Sequence, residues 1–377
     1  MSSPPANGFN LPRFLFSGEG WPYLLVPFIP AAVVLELLHA PSAAIFFTSA
    51  LGVIPPAAMM GRATEELAHR SGPGIGGLLN VTFGNAPELI IALFALERGL
   101  HEVVKASLIG SIIGNILLVM GAAMFIGGLG RDRQRFDRTA ATVQSAMLLL
   151  GAVALLMPAI FELVQGQGLP NPTDKRISYD STVEQLSFAV SVILILTYAA
   201  GLVFSLKTHR ALFNPSYDEG SDHVAWSVRR SVIMLGIAGV VVGVMSELLV
   251  GSISEAAQSV GLSEFFIGVI VVAIVGNAAE HWVAVFVAAK DKMDLAINIA
   301  IGSAAQIALF AAPVLVLISF LLGPGPMPLV FNGFELGAVL LAVIIANHVT
   351  SEGESTWFEG LQLLAVYVVL ALAFFFA

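Results

Sequence analysis

An all-α polytopic membrane protein of about eleven spanning helices is predicted for this 377-residue chain, from its composition, its long apolar runs and one internal repeat. Hydrophobic residues make up 57% of the sequence and charged residues 11%, against roughly 25% charged in an ordinary soluble domain. The charges fall in short stretches between apolar runs of 17 to 30 residues, long enough to cross a hydrocarbon layer as helices. There is no cysteine, so disulfides, thiolate metal sites and thiol nucleophiles are excluded. A formal charge of -9 argues against a nucleic-acid partner, which would need basic patches. The first twenty residues show no secretory signal pattern, so the first apolar run is expected to be retained as a helix.

The apolar runs place spans near 21–39, 43–67, 74–97, 103–129, 139–163 and 184–206, then near 228–256, 263–289, 293–322, 333–349 and 357–376. The tenth, at 17 residues, is at the short limit for a crossing. A polar stretch with Asp218, Glu219 and Asp222 separates the two groups and reads as a solvated hinge. The expected organisation is a leading segment and helix (1–42), a five-helix repeat (43–206), an acidic linker (207–227) and a second five-helix repeat (228–377).

Orientation follows from the basic residues when loops alternate between the two faces. The amino-terminal face takes thirteen: Arg13, Arg62, Arg70, Arg131, Arg133, Arg135, Arg138, Lys207, Arg210, Arg229, Arg230, Lys290 and Lys292. The opposite face takes four, namely Arg98, Lys105, Lys175 and Arg176. The amino terminus is therefore expected in the cytoplasm and the carboxyl terminus across the membrane, in a bacterial-type plasma membrane.

Self-comparison gives the most informative feature. Gly84-Asn85-Ala86-Pro87-Glu88 returns as Gly276-Asn277-Ala278-Ala279-Glu280, and Ile109-Gly110-Ser111 returns as Ile301-Gly302-Ser303 at the same offset of 192 residues. The motif-bearing spans, third and eighth, are an odd number of crossings apart. The repeats are therefore inverted, as in secondary transporters whose site lies near the midplane between the halves.

Gly-Asn in mid-span weakens a helix, and Pro87 also removes a backbone donor, so a break is expected there. Freed carbonyls within a membrane must be buried in protein or line a wet cavity. An intramembrane carboxylate costs roughly 2.5–3.5 kcal/mol, and two close together repel. Burial and like charge favour the protonated form while a bound divalent cation favours the carboxylate, so protons and cation compete for the same oxygens. Two carboxylates, the amide oxygens of Asn85 and Asn277, freed carbonyls and water supply the six to eight oxygens that Ca²⁺ takes. Mg²⁺ dehydrates too reluctantly to be favoured, whereas Mn²⁺ is chemically admissible. The competing structural reading is that Gly and Asn serve helix packing; the pairing of both copies, each followed by Glu, weighs against it.

With these motifs, the acidic linker and the ending Trp357-Phe358-Glu359-Gly360 to Phe376, the chain resembles the cation/proton exchanger family of the calcium/cation antiporter superfamily over nearly its whole length. The resemblance implies exchange of Ca²⁺ for H⁺ by alternating access, with Glu88 and Glu280 as the cation-binding and proton-exchanging pair and with Asn85, Asn277, Gly84 and Gly276 beside them. No cofactor is implied; Ca²⁺ is cargo. It also points to Glu65 and Glu255, at matching places in the repeats, as part of the cation or proton path, although both lie near span ends where a solvated carboxylate is ordinary. Ser111, Ser303 and Gln306 are implied as cavity-lining residues, with helix-helix hydrogen bonding as their alternative. His281 follows Glu280 directly and so points about 100° away on a regular helix; it is expected to bond a neighbouring helix or modulate proton access. Pro87 departs from the small or hydroxyl residue expected at that place. The linker is also less acidic than in some relatives of the family.

Sodium/calcium exchange would call for hydroxyl-rich motifs ending in Glu and Asp, monovalent cation/proton exchange stays open, and a channel would need a continuous pore. An intramembrane hydrolase is disfavoured, since no nucleophile-base pair or His-rich metal motif is present.

Overall fold

The computed structural model describes residues 20–172, 176, 179–208 and 226–377, with the backbone alone at 72–75, 77, 78, 80, 81 and 206. Most of the expected linker, 209–225, lies outside the described residues. A 3-10 turn (Trp21–Leu25) leads into eleven helices: α1 (Phe28–Leu37), α2 (Ser42–Gly84), α3 (Ala86–Glu97), α4 (His101–Gly128), α5 (Arg138–Val164), α6 (Ser181–Val203), α7 (Val228–Val260), α8 (Glu264–Ala289), α9 (Met293–Ser319), α10 (Gly333–Thr350) and α11 (Trp357–Phe376). Among the described residues, nine helical stretches are long and apolar enough to cross a membrane, and Trp21–Leu37 is a shorter apolar one. The tenth expected span is present as α10.

The second and third spans differ from expectation in how they join. A single helical element runs from Ser42 to Gly84, where a loop near 68–73 was expected. The helix is nevertheless folded back there. A Cβ built on Gly76 would lie 2.5 Å from the carbonyl oxygen of Ala68, whereas eight residues of straight helix rise about 12 Å. The reversal needs no loop, because Gly72, Gly74 and Gly76 follow one another closely and glycine tolerates a tight bend. The break that separates α2 from α3 falls instead at Asn85 (φ -96°, ψ 19°), with Pro87 in the first turn beyond it.

Helix ends are closed by the residues that favour this. Asp137, Asp180, Ser227 and Ser263 cap α5, α6, α7 and α8 by accepting backbone N–H groups, and α10 and α11 each begin with a full capping box. Thr182 donates to Asp180 through both its backbone and its hydroxyl, which holds that exposed carboxyl below the usual carboxylate range. In lipid such closure matters more than in water, because no solvent is there to take an orphaned group.

One strand pair fixes the relation of the two halves at one end. β1 (Gln134–Arg135) pairs antiparallel with β2 (Glu354–Ser355), joining the α4–α5 and α10–α11 connections. Arg133 reinforces it with a 2.8 Å ion pair to Glu354. Gln134 also donates to the carbonyl of Ala288 at 3.1 Å, so the end of α8 sits at the same end of the bundle. These connections all follow an even number of crossings. Their meeting agrees with α10 making a full crossing; had it not, β2 would lie at the far side.

The repeat is visible in backbone detail. α4 carries a π segment at Gly114–Val119 and α9 one at Ile307–Ala311, and residues 115–119 map onto 307–311 at the 192-residue offset. α8 carries another at Ile267–Val272, just ahead of its motif. Close crossings use glycine: a Cβ on Gly110 of α4 would fall 2.0 Å from the carbonyl oxygen of Val269 on α8, and one on Gly360 of α11 would fall 2.3 Å from the nitrogen of Phe125 on α4.

Candidate functional site

The two motifs meet where α3 and α8 cross. A Cβ added to Gly84 would lie 3.8 Å from Oε1 of Glu280, and one added to Gly276 would lie 3.1 Å from Cγ of Glu88. Each glycine thus faces the glutamate of the other copy. Pairing 84 with 280 and 88 with 276 means that one chain index rises as the other falls, so the two helices run antiparallel, as inversion of the repeat requires. The two carboxylates are within electrostatic range of one another.

The two copies hold their acids differently. Glu88 sits in the first turn of α3, directly after the break, where unpaired N–H groups and the helix dipole favour negative charge. Helix α8 runs unbroken through its own motif, because Ala279 stands where the first copy has Pro87; the break expected from Gly-Asn is absent there. Glu280 is accordingly in mid-helix, and Oε2 accepts a 2.6 Å hydrogen bond from the Ser303 hydroxyl.

Both asparagines are buried, at 1% and 0% exposure, and each is anchored through its amide nitrogen alone. Asn85 donates to Oε1 of Gln306 at 2.6 Å; Asn277 donates to the Ser111 hydroxyl at 2.9 Å and to the carbonyl of Ala273 at 2.9 Å. This leaves Oδ1 of Asn85, Oδ1 of Asn277 and Oε2 of Glu88 buried without a hydrogen-bond partner. Buried polar oxygens are rarely left so. Three in one motif pair form a set of hard acceptors suited to an oxygen-seeking cation. A cavity of about 20 Å³ adjoins Glu88 and is lined also by Ser107, Ser111 and Gly276 among apolar neighbours. Among the described residues no group of three or more His, Asp or Glu gathers as a metal cluster, so the donor set is two carboxylates and amide or hydroxyl oxygens.

The other expected site residues are placed less centrally. Glu65 is exposed yet within electrostatic range of Glu280. Glu255 is exposed and accepts a hydrogen bond from Ser42 at the start of α2, a contact that ties α7 to α2. His281 has a buried Nε2 with no hydrogen-bond partner, so that nitrogen does not make the cross-helix bond expected of it. The next residue, Trp282, packs at a tilt of 59° against Trp21 with ring centroids 5.4 Å apart.

Sequence reasoning missed Asn115, 0% exposed with both amide atoms unpartnered in the π segment of α4. Its spacing of four from Ser111 was the available signal. It also counted Lys105 among the basic residues of the opposite face, although the side chain is buried.

Antiparallel helical repeats that bring one acid from each half to a common buried point define the class of membrane exchangers built by duplication. Residues 41–207 and 230–376 match the family described as sodium/calcium exchanger protein, and the chain belongs to that family. It is 45% identical over 374 residues to a protein of Synechocystis sp. named Ca(2+)/H(+) antiporter, covering 94% of this chain and 96% of that one. Identity is also 45% to the Ca(2+)/H(+) antiporter of Bacillus subtilis, with 92% and 96% covered. The solved structure of native YfkE superposes with a TM-score of 0.79 at 42% identity, over 94% of this chain and all of that chain. The H+/Ca2+ exchanger CAX, at 15% identity and a TM-score of 0.72 over 95% and 89% of the two chains, shares the fold.

Proposed function

We propose that this chain is a secondary antiporter that exchanges Ca²⁺ for H⁺ by alternating access, with Glu88 and Glu280 binding either the cation or protons. The observation that carries this reading is the reciprocal seating of each motif glycine against the other motif's glutamate, with three unpartnered buried oxygens beside them. The Ca²⁺/H⁺ antiporter names of relatives at 45% identity support the choice of ions. Two carboxylates neutralise a divalent ion; without it their repulsion and burial call for protons instead. Exchange follows from that alternation.

Asn85 and Asn277 would each give an amide oxygen to the ion, their nitrogens being spent on Gln306 and Ser111. Gly84 and Gly276 make room for the opposing carboxylate, and Ser303 orients Glu280. Glu65, near Glu280, fits a place on the path to the site. Glu255 accepts a hydrogen bond from Ser42 at the start of α2, which supports a share in a route to that side. His281 fits a role in proton access rather than coordination. Mn²⁺ would compete for the same hard oxygens. The units of this mechanism are the repeats 43–206 and 228–377, joined by the linker 207–227 and preceded by 1–42; the equivalent π segments support that division. We place the protein in a bacterial-type plasma membrane with the amino terminus cytoplasmic and the carboxyl terminus opposite, on the distribution of basic residues.

In sealed vesicles, an imposed pH gradient should drive Ca²⁺ accumulation against its own gradient, with or without sodium. Loss of uptake on removing sodium, the pH gradient being intact, would point to sodium/calcium exchange. Downhill flux alone would point to a channel.

A further inference from the structure

A second group of buried charges lies where α4 and α10 begin, outside the site just described. Lys105 is 1% exposed. Its ammonium donates to the carbonyl of Val330 at 2.8 Å, reaches the Tyr179 hydroxyl at 3.4 Å and ion-pairs with Glu102 one turn earlier. Three donors meet three acceptors, which uses the group fully. Glu162, 1% exposed, is matched by Arg176 at 3.3 Å, and Arg176 in turn lies 4.2 Å over the Tyr179 ring. His101 stands beside Lys105 with both ring nitrogens buried, and the exposed Asp180 is occupied in capping α6.

Glu335 is the acid left over. It is 0% exposed; Oε2 accepts the backbone N–H of Asn332 at 2.8 Å in the capping box of α10, and Oε1 is buried with no hydrogen-bond partner. Lys105 and Glu102 are the charged side chains that face it electrostatically, and they already balance one another. A buried carboxylate with no counter-charge costs several kcal/mol, whereas the neutral acid costs far less.

We infer that Glu335 is a proton-binding site separate from Glu88 and Glu280, and that it holds its proton in the packing described here. Loss of that proton sets a second negative charge against Lys105 in competition with Glu102. Glu102 and Lys105 belong to the first turns of α4, and Ser111, which holds Asn277, lies about 9 Å further along the same helix. The proton on Glu335 therefore fixes the seat of the helix that anchors one half of the cation site.

Infrared spectroscopy tests this on purified protein carrying Glu88→Gln and Glu280→Gln, which removes the two acids of the cation site from the signal. At neutral pH the carbonyl stretch of a protonated carboxylic acid should be present and should be lost on adding Glu335→Gln; a band unchanged by that substitution overturns the inference. Thermal unfolding of the wild type and of the single variant Glu335→Gln gives a second reading. Unfolding releases the proton, so the wild type should lose stability relative to the variant as pH rises through neutrality, by up to about tenfold in the unfolding constant per pH unit; parallel pH profiles would contradict it. Glutamine has the shape and charge of the protonated acid and can keep the capping bond. Failure of Glu335→Gln to fold therefore also counts against the inference.

Discussion

At the residue scale the account rests on two carboxylates that differ in their surroundings while sharing one ion. Substituting either Glu88 or Glu280 with Gln keeps the volume and removes the charge. Each variant should insert and fold yet lose nearly all Ca²⁺/H⁺ exchange, because removing one partner from a buried ion pair costs about 3–5 kcal/mol, or at least about a hundredfold in affinity. The double variant should be little worse than either single one, since both losses act on the same ion. Glu359→Gln is the matched control: Glu359 is held in the capping box of α11, away from the site, and the variant should keep most of its transport. The glycines allow a finer test. Alanine at Gly276 would press on Cγ of Glu88 at 3.1 Å, whereas alanine at Gly84 meets Glu280 at an ordinary 3.8 Å. Transport assays should therefore show Gly276→Ala impaired well beyond Gly84→Ala, and equal effects would mean that the two acids are not seated as described. These residues were legible in the sequence because the motif repeats at a constant offset. The Lys105 group was not, since its partners come from separate connections that only folding brings together, although the capping-box pair Asn332 and Glu335 and the Glu102 to Lys105 spacing were visible in hindsight.

At the element scale the sequence marked the helices well and their joints poorly. Apolar runs report burial in lipid, and all the expected runs appear as helix. They do not report whether a reversal is made by a loop or by a folded helix, and 68–73, between the second and third expected spans, was read as the former. Gly-Asn was read as a break in both copies, but backbone hydrogen bonds survive it in α8; Pro87, which lacks the donor, decides the difference. Replacing Pro87 with alanine should accordingly let α2 and α3 approach continuity, moving Glu88 out of its helix-start position and weakening Ca²⁺ binding while leaving the fold intact. Calorimetric titration of the purified variant measures this, and unchanged affinity would show that the break is dispensable. The crossing of α4 and α8 is less forgiving. A Cβ at Gly110 would overlap backbone atoms of Val269, which no rotamer change can relieve, so Gly110→Ala should cost about 1–3 kcal/mol or more and lower the thermal midpoint in detergent.

At the scale of the whole molecule, inversion is what permits one site to open to either face. The antiparallel seating of α3 on α8 and the matching π segments show the two halves to be related in this way. The linkage of the α4–α5, α8–α9 and α10–α11 connections at one end gives the bundle a common base. Single cysteines can be introduced into this cysteine-free chain and labelled from one side of the membrane. Labelling at positions 132 and 352 should come from the same face, and labelling at 377 from the opposite one; label reaching 377 from the face that carries 132 would overturn the proposed topology.

The claim on which the rest depends is that cation and protons occupy the same two carboxylates in turn. It is tested most directly by adding Ca²⁺ to the purified protein in weakly buffered solution and measuring the protons released. The account predicts release of up to two protons per bound Ca²⁺, one for each carboxylate, shrinking as pH rises, and none from the Glu88→Gln and Glu280→Gln double variant. Tight Ca²⁺ binding without proton release, or release undiminished in that double variant, would contradict it.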